Sequence, residues 1–265
     1  MERRNASGVQ GARPLHPDHG GTMRRDTGEV SVFDARYGVY FAPGAGSGLE
    51  RVCASVLGRC ARTGKELAQP VLPGVEPRRL AELTASPRRY GLHGTLKPPI
   101  FLAEGMTEAG LLDAVALLAT GRPAFELPRL RLESLGSFLA LTPSAPCPEL
   151  DALARACVTE LDPFRRPPSA EELARRRAGG LTAGQDRLLE RWGYPHVLEE
   201  FRFHLTLTDK IHDPDERRTV QSGLGALLET VVQSPVHVDE IHVFRQPAPN
   251  APFAMLAALP LAPRP

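Results

Sequence analysis

Residues 90–96 read Tyr-Gly-Leu-His-Gly-Thr-Leu, and residues 201–207 read Phe-Arg-Phe-His-Leu-Thr-Leu. Each stretch sets an aromatic residue three before a histidine, an apolar residue one before, a threonine two after and a leucine three after. In a strand, residues two apart leave the same face. His93 and Thr95 therefore share a face, as do His204, Thr206 and Thr208. Leu92, Leu96, Phe203, Leu205 and Leu207 turn the other way, into a core. Of the eight histidines, at 16, 19, 93, 196, 204, 212, 237 and 242, only His93 and His204 carry a hydroxyl residue two positions on. One such match arises readily by chance and would read as a satisfied core histidine. Two matches in the same surroundings point to a repeated element with a purpose.

Working outward, Tyr37–Ala42 reads as a strand ended by Pro43-Gly44, and Leu49–Leu57 as a short helix. A Pro/Gly-punctuated loop runs through Pro77. The first motif is a strand over Tyr90–Leu96, stopped by Pro98-Pro99. Thr107 is an N-cap for a helix marked by Leu111, Leu112, Val115 and Leu118. Strands follow near Pro128–Leu135 and Ser137–Leu141, with Gly136 at the turn. The second half repeats the scheme: a helix faced by Leu150, Leu153, Cys157, Val158 and Leu161, the motif strand Phe201–Thr208, a helix from Val220 to Val231, and strands over Val236–Phe244 and Phe253–Leu259. Between them an arginine-rich insertion, 163–195, holds two capping-box patterns, Ser169…Glu172 and Thr182…Gln185, and so two short helices. The repeated element order predicts an internal duplication. The first lobe spans 32–136 and the second 137–262, each an antiparallel sheet flanked by helices. A pseudo-two-fold axis between them would turn the two His/Thr pairs toward one cleft. Residues 1–31, rich in Gly, Arg, Asp and His, read as a disordered tail, within which Met23 offers an alternative start.

Composition narrows the function classes. With 265 residues, 42% hydrophobic and 24% charged, the chain suits a soluble globular protein. Thirty-two Lys+Arg oppose 31 Asp+Glu, so at net +1 no global field draws it to a long nucleic acid or an anionic membrane. No apolar run is long enough to span a bilayer. Cys53, Cys60, Cys147 and Cys157 form no Cys-x-x-Cys pair; in apolar stretches they read as buried thiols in a reducing cytoplasm.

The two His-x-Thr-Leu strands resemble the signature of the 2H phosphoesterase superfamily. Arg36-Tyr-Gly-Val-Tyr-Phe-Ala-Pro43, Arg89-Tyr-Gly-Leu-His-Gly-Thr-Leu-Lys-Pro98 and Glu200-Phe-Arg-Phe-His-Leu-Thr-Leu-Thr208 are similar to its branch found with phosphonate-degradation genes, the DUF1045-type proteins. The likeness runs from about Asp34 to Leu261 and departs at neither motif. It implies an α+β, two-lobed, LigT-like fold. It also implies hydrolysis or transfer at a small phosphodiester, often a cyclic one on ribose, without metal or cofactor. The cyclic ribosyl phosphate made during carbon–phosphorus bond cleavage is the substrate it suggests.

The residues make sense of that chemistry. Attack by water on a cyclic phosphodiester needs one group to take a proton and an opposed group to give one, and histidine does either near neutrality. His93 and His204 are the expected catalytic pair, without a decision as to which is the base. Thr95 and Thr206 would bond the non-bridging oxygens. Lys97, two beyond Thr95, is expected on the same face, and Arg202 beside His204; both are candidates for the substrate anion, as Tyr40 and Tyr90 are for the cleft wall. Arg165-Arg166 and Arg175-Arg176-Arg177 read as a solvated helix face or a lid over a phosphorylated ligand. A metal site on the two histidines lacks neighbours: no acid or histidine lies within three residues of His93, and Glu200 and Asp209 lie four and five from His204. The remaining alternatives are an RNA 2′,3′-cyclic phosphate phosphodiesterase or ligase, or an RNA-end-binding module. A monomer acting on a small phosphorylated molecule, with a short RNA end as the other partner, is expected.

Overall fold

Tyr37-Gly-Val-Tyr-Phe41, rich in aromatic and β-branched residues and buried throughout, makes a strand inside the main sheet. The computed structural model describes residues 34–264; the tail expected over 1–31 lies outside them. In chain order the elements are β1 (Arg36–Phe41), α1 (Gly48–Leu57), α2 (Pro77–Leu83), α3 (Ala85–Tyr90), β2 (Gly94–Phe101), α4 (Glu108–Thr120), β3 (Phe125–Leu127), β4 (Leu130–Leu135), β5 (Phe138–Pro143), α5 (Pro148–Glu160), α6 (Ala170–Arg177), α7 (Ala183–Trp192), β6 (Leu205–Thr206), α8 (Pro214–Leu228), β7 (Val236–Val238), β8 (Glu240–Gln246) and β9 (Ala254–Pro260). The class is α+β, with antiparallel strands flanked by helices.

Seven strands form one sheet in the order β4-β5-β6-β2-β1-β8-β9, and β3 pairs with β7 apart from it. At its middle, β2 and β6 meet at a single antiparallel pair, Gly94↔Leu205. These are equivalent positions of the two motifs, so a local two-fold axis passes through that pair. The β4–β5 hairpin lies beside β6, and the β8–β9 hairpin lies beside β1, so β8 of the span 137–262 pairs with β1 of the span 32–136. The other edge of β6 is covered by β5 and that of β2 by β1, which sets both motif strands inside the sheet.

On one side of the sheet, Val39, Phe41, Leu141, Leu205, Ile241 and Val243 pack with leucines and valines of α1, α2, α4, α5 and α8 in one continuous core. The helix-starting residues behave as local chemistry dictates. Thr107 accepts a hydrogen bond from the Gly110 amide, and both capping boxes in the insertion are complete, Ser169 with Glu172 and Thr182 with Gln185.

Three expectations fail for tertiary reasons. Pro77, expected to close a loop, opens α2, and Tyr90, expected to open the first motif strand, closes α3. Pro77 stands at the first helical turn, where a missing N–H costs nothing. β2 begins one residue after His93 and runs through Pro98-Pro99 instead of stopping there. Beyond Gly94 its second edge has no partner strand, so prolines lacking N–H groups are tolerated. Finally, Cys60 is partly exposed, unlike Cys53, Cys147 and Cys157, because it sits in the turn after α1.

Candidate active site

One step either side of Gly94↔Leu205, antiparallel geometry sets His93 beside Thr206 and Thr95 beside His204. Each histidine is thus neighboured by the other motif's threonine. On a regular antiparallel ladder continued past that pair the two imidazoles would sit diagonally, about 7–8 Å apart and somewhat less between Cβ atoms. The surface agrees with this exchange. A cavity of about 480 Å³ is bordered by His93, Thr95 and Thr206. An adjoining cavity of about 660 Å³ is bordered by His204, Thr95 and Arg202. Thr95, Pro98 and Tyr194 belong to both.

The two rings are held alike. His93 Nδ1 lies 2.9 Å from the carbonyl oxygen of Gly91, and His204 Nδ1 lies 2.7 Å from that of Arg202. A carbonyl only accepts, so in both rings Nδ1 carries the proton and donates it. When either ring is neutral its Nε2 keeps a lone pair for taking a proton; when charged, Nε2–H can give one.

Their surroundings differ. Tyr40, Tyr90 and Phe244 surround His93, with ring centroids at 4.3, 5.4 and 6.4 Å. His204 has Phe138 at 5.7 Å. Enclosure among rings lowers the His93 pKa from 6.5 to about 4; the Gly91 carbonyl opposes this, and the charge of His204 lowers it further. The last effect requires the two imidazoles to lie within each other's field. Because the folded-state value is below the unfolded one, the unfolded chain takes up this proton first on acidification. The contribution of His93 to stability is therefore lost as pH falls from 6.5 toward 4.

One expected site residue stands elsewhere. Lys97 does not share the face of Thr95. Tyr40 pairs with Thr95 but Val39 with Lys97, so Leu96 is an extra residue on β2, and this bulge turns Lys97 to the side of Val39. There Lys97 is buried, its Nζ donates to the Val158 carbonyl of α5 at 2.9 Å, and burial lowers its pKa to about 8. Tyr40 is fully buried, and its ring lies across Gly38, where a Cβ would sit 2.5 Å from Tyr40 Cζ. It lines the cavity of His93 and packs against that ring, while its hydroxyl has no hydrogen-bond partner among the described residues. An unmet buried hydroxyl costs about 1–3 kcal/mol, so Tyr40→Phe is expected to keep or raise the thermal midpoint. A clear fall in that midpoint would mean the hydroxyl is satisfied. Tyr90 stacks between His93 and Phe253 and does border the cavity.

The insertion supplies part of the walls, including Tyr194, which no local pattern announced. Tyr194 borders both cavities, and Arg175 and Arg176 border that of His93. Arg177 turns away to Asp186 and Glu190, so the arginine run divides between a lining and a solvated face. Among the described residues, no group of three or more His, Cys, Asp or Glu is placed to hold a metal ion, and no helix is long and apolar enough to cross a membrane.

A family model described as "Protein of unknown function (DUF1045)" matches residues 95–254, a span that takes in Thr95 and the whole second motif. The chain belongs to the DUF1045 family. This DUF1045 chain is also 37% identical over 233 residues to the "Ribose 1,5-bisphosphate phosphokinase PhnN" of Janthinobacterium sp. (strain Marseille), covering 86% of the chain and 51% of that protein. It is 34% identical over 180 residues to the protein of the same name from Laribacter hongkongensis (strain HLHK9), covering 68% and 41%. The chain thus spans about half the length of these curated relatives or less. Among solved structures it is similar to one described as a phosphoesterase, with TM-score 0.38 and 14% identity over 86% of this chain and 99% of that one. It is similar also to E. coli LigT complexed with ATP, with TM-score 0.37 and 14% identity over 87% and 99%. At those scores the structural likeness is distant.

Proposed function

We propose that this protein is a metal-independent, 2H-type phosphodiesterase that opens a small cyclic phosphodiester of ribose, with His93 and His204 as its proton-transfer pair. The matched tethering of both Nδ1 atoms carries this reading. It leaves both Nε2 atoms free to exchange a proton with a phosphodiester bound between the two motifs. Water attacks phosphorus as His93 Nε2 takes its proton. The bond to the leaving ribose oxygen breaks as His204 Nε2–H protonates that oxygen, and a phosphomonoester with a free hydroxyl results. Thr95 and Thr206 donate to the non-bridging oxygens, and Arg202 adds positive charge from the His204 side. His93 is the base because enclosure keeps it neutral at pH 7.

A phosphomonoester of ribose is the class of compound that the names of the curated relatives say those kinases handle. That supports a sugar phosphate over an RNA end, and phosphonate catabolism in the cytoplasm as the setting. The test is turnover of a panel of cyclic phosphates with a chelator present, including RNA ended by a 2′,3′-cyclic phosphate. Hydrolysis of the small ribose esters is expected; turnover confined to RNA, or abolished by the chelator, overturns the reading.

The pH profile tests the assignment of roles. With a base titrating near 4, kcat/KM is expected to hold as pH falls through 6 and to drop only below about pH 5. An acid-side midpoint at 6.5 or above would remove His93 from the role of base.

A further inference from the structure

Beside the His93 cavity lies a trough of about 370 Å³, continuous with it through Arg36, Pro98, Pro99, Arg175, Arg176 and Tyr194. Its wall is strongly cationic. Three of the cations are already engaged: Arg165 and Lys97 with Asp162, and Arg166 with Asp34. Four others, Arg36, Arg89, Arg175 and Arg176, have no carboxylate partner among the described residues. Arg36 is held by the neutral Gln246 side chain at 2.7 Å, Arg89 by that of Asn250, and Arg176 lies over the Tyr194 ring at 4.9 Å. They come from β1, the end of α3 and the insertion helix α6, three segments far apart in sequence. On the same helix Arg177 turns away from the trough and is paired, with Asp186 and Glu190. Unpaired guanidiniums gathered from three segments around one trough lack an anion.

We infer that this trough is a second phosphate subsite, which holds a terminal phosphomonoester of the same substrate whose cyclic diester lies at His93 and His204. The inference rests on the phosphodiesterase reading for what occupies the neighbouring cavity. A phosphomonoester carries close to two negative charges and three acceptor oxygens, and guanidinium forks meet such a group two bonds at a time. An internal phosphate of RNA carries one charge, and a chain of net charge +1 offers a long polyanion no further field. A second phosphate therefore suits the trough better than a neighbouring nucleotide does. The product of hydrolysis would then be a sugar bisphosphate, and its consumer an enzyme that takes bisphosphorylated sugars.

The test is calorimetric titration of the full chain with ribose 5-phosphate, which has the terminal monoester and no cyclic diester. Saturable binding is expected, weakened about tenfold or more in the Arg175→Ala/Arg176→Ala double variant, as loss of charge-assisted bonds implies. Arg78→Ala, an exposed residue paired with Glu82 on α2, is expected to bind as the parent does. Thermal midpoints of both variants report that the fold is kept. Absence of saturable binding, equal affinity in the double variant, or a short RNA bound through these arginines more tightly than ribose 5-phosphate overturns the inference. Binding is read without turnover, so the two readings fail separately. Ribose 5-phosphate bound with no cyclic ester hydrolysed would sink the phosphodiesterase alone; hydrolysis without such binding would sink the subsite alone.

Discussion

Alanine in place of His93 or His204 is expected to lower turnover of a small cyclic phosphodiester by at least about a hundredfold, the lower scale for loss of a positioned acid or base. In the proposed mechanism both rings take part in one proton-transfer step on either side of phosphorus, so the double variant should be little worse than the poorer single one. The two losses should differ in kind. His93 fills a box of Tyr40, Tyr90 and Phe244, so His93→Ala also opens a void among aromatic rings. His204 has fewer ring neighbours and lines an open cavity. The thermal midpoint should therefore fall further in His93→Ala than in His204→Ala, while activity falls in both. Steady-state rates and melting curves on the three variants check this. Substantial turnover in the double variant would refute the catalytic pair.

Gly94→Ala is expected to cost stability and rate together, although Gly94 has no side chain and touches no substrate. A Cβ there would lie 2.3 Å from Phe203 Cε2 and 2.5 Å from its Cζ. Phe203 is buried in the main core and packs edge-on against Phe41 at 5.7 Å, so its ring has nowhere to retreat. Overpacking of this kind costs about 1–3 kcal/mol. Gly94 follows His93 and Phe203 precedes His204, so the same push shifts one imidazole of the proposed pair against the other. A displacement near 1 Å at a reacting centre can cost about a hundredfold in rate. Phe203→Leu in the Gly94→Ala background should recover part of both losses by making room. A Gly94→Ala protein with the parent's midpoint and rate would show that the β2–β6 junction yields freely.

Much of this was legible because it is local. Thr107, Ser169 and Thr182 cap helices through bonds to amides three residues on, and the sequence within one turn suffices to see them. Gly136 occupies the turn between β4 and β5 with φ +62°, a conformation glycine adopts without strain. Lys97 shows the limit of such reading. Counting by twos put it beside Thr95, but the count holds only while the ladder is regular, and one extra residue at Leu96 reversed its side. The bulge is visible only in the pairing of β2 with β1.

By itself the sequence determined most element types, the caps, and the two repeated histidine–threonine motifs, because these depend on bonds and periodicities spanning a few residues. Tertiary structure decided which hairpin lies beside which strand, that His93 and not His204 is walled by aromatic rings, and that Arg36, Arg89, Arg175 and Arg176 share a trough. Those outcomes join positions from 36 to 260, and they follow from which apolar faces bury one another and which strand edges find partners. Such choices are settled by the whole packed chain, and no short stretch of it records them.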